Sequence, residues 1–218
     1  MSHPQSRVDP DFAFEPVPGL PAHLPRGETL LWQGRPSTWR LAIEAMGLNW
    51  VIAYFALVVA WRGGVGAADA GLAGALAFGL PYVLLGAAAV AVILGIAWVQ
   101  ARAAVYSVTT ARVVMRVGAV LPVTFNIPFA RLGSAALDLH RGGTGTIALT
   151  PNDDTRLSYL VLWPHVRPWH MTATQPALRC IPDAARVAAL LAEAAETRIS
   201  TPVVARPNDL PAAAVAAE

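Results

Sequence analysis

The chain has one cysteine, no lysine and few charges of either sign, and each shortage narrows what it can be. With Cys180 alone, an internal disulfide is excluded, as is a zinc site built on cysteines; the residue reads as a small apolar core side chain. All 16 basic residues are arginine, and the formal net charge of +2 is too small and too scattered for a nucleic-acid footprint. Charged residues make up 14% of the chain, against about 25% in ordinary soluble domains. No Asp, Glu, Arg or His occurs between Asp69 and Arg102.

What fills that gap is apolar. Ala70 to Val99 exceeds the roughly 20 apolar residues that cross a bilayer core, so it reads as a membrane span. A shorter span precedes it, with only Asn49 strongly polar. The two, at about 46–61 and 74–99, are expected to form a helical hairpin within 41–101, joined by a glycine-rich turn from Arg62 to Asp69. Pro81 offers the alternative of a kink or a third crossing. Trp32, Trp39, Arg40, Trp50, Trp61, Arg62, Trp98 and Arg102 are candidate interfacial anchors, because amphipathic rings and snorkelling arginines settle at headgroup level. Gly79 and Gly86, with Gly74 and Gly95, suit close helix packing and are candidate contacts with partner spans or, as a homodimer, with a second copy.

Arg26, Arg35 and Arg40 precede the hairpin and Arg102, Arg112 and Arg116 follow it, whereas its connection carries only Arg62. By the positive-inside rule both termini are expected in the cytoplasm of a multi-pass inner-membrane protein. Residues 1–45 lack the apolar segment and cleavage site of a signal peptide, which also predicts an attached N-terminus.

Residues 1–40 read as a proline-rich cytoplasmic arm with a short pre-membrane strand at Glu28 to Gln33; Phe12 and Phe14 are suited to packing it down. After Arg102 the texture changes to short β-branched runs separated by turn residues, predicting strands at 105–109, 112–117, 121–127, 135–140, 144–150, 157–163 and 177–181. Pro182 and Asp183 then introduce a helix from Ala184 to Thr197, with Val187, Leu190, Leu191 and Ala194 on one face. The fold expected for 102–198 is therefore α+β, a small antiparallel β-barrel or sandwich capped by a C-terminal helix. The tail 199–218 reads as disordered.

Reactive constellations are wanting, so no catalytic, cofactor or metal site is expected. His165 and His170 lack the i, i+4 spacing of a helical metal pair. Asp153 and Asp154 read as a solvated turn, and Gly142, Gly143 and Gly145 lack the lysine of a phosphate-cradling loop. Neither span holds a histidine. The stretch with Trp163, His165, Arg167 and Trp169 is the candidate protein interface, since tryptophan and arginine dominate interface hot spots and two prolines stiffen the loop. The alternative is that these tryptophans plug the β-domain or lie against headgroups.

Two resemblances sharpen this. GETLLWQGRPS before the hairpin and YSVTTARVVMRVGAVLPVTFNIPF after it resemble the bacterial pleckstrin-homology-like family, implying a small PH-like barrel closed by a C-terminal helix. FEPVPGLPAHLPRGE, LWPHVRPWH and QPALRCIPDAARVAALLAEA resemble the PuhB-type photosynthetic complex assembly proteins of purple phototrophic bacteria. That resemblance implies a non-enzymatic helper in the intracytoplasmic membrane whose partners are the reaction centre and core light-harvesting subunits; with no histidine in either span, resident pigment ligation is disfavoured and only a transient bacteriochlorophyll contact is left open. A general membrane-anchored lipid-binding or envelope-stress module is the competing expectation.

Overall fold

A computed structural model of the chain describes residues 19–20, 22–140, 142–152 and 157–200. Phe12 and Phe14, the Asp153 and Asp154 turn and the tail from 201 onward lie outside the described residues.

Helix α2 (Leu48–Ala103) carries the apolar sequence and is long and apolar enough to cross a membrane. Its most apolar window is only 11% buried, unlike the core helix of a soluble protein. Non-helical backbone at Ala70 and Gly71 divides it into two arms, and Gly71 adopts φ +61°, a left-handed conformation that glycine enters without steric cost. The arms pack antiparallel: Gly66 lies against Gly74, Gly63 faces Gly79, and Phe55 covers Gly86. At about 1.5 Å per residue the shorter arm, 48–69, is roughly 33 Å long.

The turn expected from Arg62 to Asp69 is therefore wrong: that segment is helical, and the chain reverses at 70–71. The glycines there serve close packing, because a side chain at Gly66 would collide with the Gly74 carbonyl. Pro81 sits inside the second arm, whose backbone stays helical around it.

The short helix α1 (Thr38–Glu44) joins the hairpin to the β-domain. Ala42 packs with Leu48 and Ala97 of the arms, while Leu41 packs with Ala101 and Cys180. Gly47, at φ +68°, makes the corner between α1 and α2.

Among the described residues, seven strands form two antiparallel sheets. In the first, β1 (Leu30–Gly34), β2 (Val105–Thr109), β3 (Arg112–Val117) and β4 (Val123–Pro128) lie in sequence order; in the second, so do β5 (Leu132–Leu139), β6 (Thr144–Pro151) and β7 (Ala177–Pro182). β1 precedes the hairpin and β2 follows it, so the sheet ties both ends of α2 together. Tyr106, Met115, Phe129, Ile147 and Leu149 meet between the sheets. Helix α4 (Ala184–Ser200) adds Val187, Leu191 and Ala194 to that core, while Leu190 packs at its margin. Each fully buried aliphatic contributes roughly 1.5–3 kcal/mol of transfer free energy.

Two β expectations are corrected. Residues 157–163 do not form a strand: Tyr159–Leu162 is a one-turn helix, α3, which buries Leu162 and leaves Leu160 and Val161 outside. Nor is the barrel closed: among the described residues the strands pair as two separate sheets, of four and of three strands, with no ladder joining them.

Candidate interaction surface

The loop after α3 is anchored from beneath. His165 is fully buried, and Tyr106 of β2 donates its phenol proton to His165 Nδ1 at 2.5 Å. Burial, with the Arg179 charge adding to it, pushes the His165 pKa down to about 3, so the ring is neutral at physiological pH. Burial likewise pushes the Tyr106 phenol up, keeping its proton in place to donate.

Above that anchor, Val166 bridges Pro176, and Arg167 bonds Gln175 through both its backbone N–H and its guanidinium. The tip then turns outward. Trp169 takes φ +64°, a costly conformation for a bulky residue, and its indole is 89% exposed. Trp163, Leu160, Val161 and Met171 are exposed nearby in sequence. The loop enters β7 at Ala177, the end paired with Ala148, whereas Glu44 of α1 meets His140 near the opposite end, where Pro182 pairs with Thr144.

That second junction is polar. Glu44 of α1 accepts from the Cys180 thiol at 3.2 Å, lies 2.9 Å from His140 Nε2, and pairs with Arg40 at 3.8 Å. The Arg179 guanidinium donates to the Glu44 backbone carbonyl at 3.1 Å. Burial, then the Glu44 carboxylate, pushes the Cys180 thiol up, which leaves it protonated and unreactive. One arginine on the Glu44 carboxylate and a second on its backbone carbonyl suit a structural clasp. Among the described residues, no group of three or more His, Cys, Asp or Glu side chains is arranged to hold a metal ion.

The structure separates the residues singled out in the sequence. Trp163, Arg167 and Trp169 share one exposed loop, whereas His165 beneath them is a buried support and cannot touch a partner. Gly79 and Gly86 are also removed from the outer surface, because each is buried against the opposite arm of the same hairpin. Trp39, Trp50, Trp61 and Trp98 are exposed, and Arg102 lies over the Trp98 ring at 5.4 Å. Arg40 belongs to the clasp on Glu44, and Arg62 lies between the Phe78 and Tyr82 rings at 5.4 and 5.8 Å. Trp32 instead packs against the β-domain core, because β1 is a sheet strand and not a membrane approach.

Sequence reasoning missed the slot between β5 and α4, a cavity of about 290 Å³ lined by Ala135, Leu137, Ile147, Ala188 and Leu191. Its only sequence signal is the run of small residues in β5, from Gly133 to Ala136, which leaves the groove unfilled.

A family profile described as "Bacterial PH domain" matches residues 48–195, a span that takes in the hairpin as well as most of the two sheets. The chain is 49% identical over 211 residues to a Rhodobacter capsulatus protein described as an uncharacterized 23.7 kDa protein in the puhA 5′ region, covering 95% of this chain and 99% of that one. No solved structure matches the chain.

Proposed function

The chain belongs to the bacterial PH domain family, and from that premise we propose that it is a PuhB-type, non-enzymatic assembly factor for the photosynthetic reaction centre and core light-harvesting complex. The relative beside puhA suggests a photosynthesis-related role. On this reading both arms of α2 cross the inner, intracytoplasmic membrane, with the β-domain on the cytoplasmic side. The arginine distribution supports that orientation.

Trp169 carries the reading. A fully presented indole held in a left-handed conformation, on a loop braced by His165 and Arg167, is costly in a free protein and has the properties of a preorganised hot spot. Its partner would be a cytoplasmic segment of a reaction-centre or core-antenna polypeptide. The hairpin, whose Gly66, Gly74, Gly79 and Gly86 are taken up by packing between its own arms, would position that loop over the membrane.

Affinity purification in mild detergent from phototrophically grown cells, with mass spectrometry of the partners and an absorption spectrum of the eluate, tests the proposal. Recovery of reaction-centre or core-antenna polypeptides is the expected result. Recovery of lipid and unrelated envelope proteins alone, with intact photosynthetic complexes in a deletion strain, would replace it with a membrane-anchored lipid-binding module.

A further inference from the structure

The turn between β3 and β4, residues 118–122, exposes two large aliphatic side chains that no element among the described residues covers. Val120 is 89% and Leu121 78% exposed. The turn is a built feature: Gly118, at φ +103°, allows the Leu121 carbonyl to approach where a Cβ would stand, and this fixes the tip.

Its position gives the exposure a meaning. Val105 begins β2 with only Ala104 between it and the end of α2, and Val105 pairs with Arg116. The next rung, Val117 with Val123, already lies beyond Val105, so the turn projects past the point where the hairpin enters the sheet. Contacts between β3 and α2 keep it beside the helix end. At about 3.3 Å per strand residue the tip stands roughly 7 Å past Val105, comparable with the roughly 5–10 Å to which interfacial segments enter a bilayer.

Charge agrees with this placement. From Ala70 to Leu137 the chain has no acidic residue, while Arg102 and Arg116 flank the turn. A cationic edge with an aliphatic tip matches an anionic bilayer surface, the arginines at headgroup level and the aliphatic tip below. The Trp169 loop, at the end of β7 remote from α1, has no such neighbourhood, and the two exposed apolar features therefore face different partners.

We infer that residues 118–122 are a third membrane contact, in which Val120 and Leu121 enter the boundary between headgroups and acyl chains and hold the first sheet end-on to the bilayer. The inference rests on the membrane-embedded reading of α2. It assigns the β-domain a fixed height and tilt, so that the loop carrying Trp169 is presented at a set distance from the membrane.

Full-length protein carrying Val120→Cys, labelled with a nitrobenzoxadiazole fluorophore and reconstituted into phosphatidylcholine–phosphatidylglycerol vesicles, tests this. Native Cys180 is buried and protonated and stays unlabelled. The expected result is blue-shifted emission, loss of quenching by aqueous iodide and quenching by lipid spin-labelled near the headgroup. Ala130→Cys, exposed beside the opposite end of the sheet, should stay open to iodide, and Leu84→Cys on the second arm should be quenched by a spin label deep in the acyl region. Adding Leu121→Asp should return the label at 120 to iodide.

An iodide-accessible label at 120 with a deeply placed label at 84 overturns the turn contact and leaves the hairpin reading standing. Accessibility at both positions overturns the two together. Continued shielding at 120 beside Leu121→Asp would mean that the fluorophore partitions by itself, and it also overturns the inference.

Discussion

The hairpin and the β-domain are both rich in apolar residues, yet they sort them in opposite directions. In the hairpin the buried positions are mostly small, Gly66, Gly74, Gly79, Gly86, Ala97 and Ala101, while Trp50, Leu57 and Leu72 point outward. In the β-domain the large side chains Tyr106, Phe129, Met115 and Leu149 are inside, packed together between the sheets. Burial of large side chains drives folding in water, where apolar area is expelled. Where the solvent is as apolar as leucine that force vanishes, and helices associate through backbone approach at small residues. The inverted hairpin is the pattern that lipid selects, and it supports the membrane reading more specifically than length alone.

The comparison breaks first at Gly66. Gly66→Leu should cost at or beyond the upper end of the roughly 1–3 kcal/mol that overpacking incurs, because the obstacle is the backbone of Gly74, which cannot rotate away. Gly95→Leu should be tolerated, since nothing lies within 4 Å of its would-be Cβ. Detergent-denaturant unfolding of the two variants measures the difference.

In the β-domain the sensitive element is a buried polar pair. The folded pKa of His165 lies near 3 and its ordinary value is 6.5, so the unfolded chain binds the extra proton. Stability from this group is complete above about pH 6.5 and falls as pH drops towards 3, by a few kcal/mol in all. Thermal unfolding across that window should show the loss, and His165→Asn should flatten it. A smaller effect belongs to Arg112, whose guanidinium forms two bonds to Glu28 and holds that carboxyl below its usual range. Arg112→Ala should cost about 1 kcal/mol by urea titration, since the pair is partly solvated. Smallest for stability is Trp169→Ala, within about 0.5 kcal/mol, although loss of a hot spot worth about 2 kcal/mol would lower partner recovery on the order of thirtyfold.

How much of this was legible in the sequence depends on how local each signal is. The β-branched runs of β2 and β3 and the period of Val187, Leu191 and Ala194 are short-range; they mark both strands at their observed bounds and the helix at its start, with its end three residues beyond Thr197. Leu157 to Trp163 has the composition of a strand but ends in Trp163–Pro164 after a single helical turn, a choice made by the burial of Leu162. The glycines at 63, 64 and 66 read as a turn because glycine means either freedom or closeness, and only the opposite arm decides which. The clasp between Glu44 and Cys180 spans 136 positions and leaves no local trace. For the same reason His165 reads as an interface residue until Tyr106 is placed beneath it. Trp169 was legible as a candidate from its type and its prolines, but its backbone conformation was not.

The central claim is that the hairpin places the domain and the Trp169 loop meets the partner. Photo-crosslinking from benzoylphenylalanine at position 169, in phototrophically grown cells carrying the full-length chain, tests it most directly. The account predicts adducts to a reaction-centre or core-antenna polypeptide, and lipid adducts from the same residue placed at Leu84. Lipid adducts alone from position 169, with polypeptide adducts arising only from position 84, would contradict it.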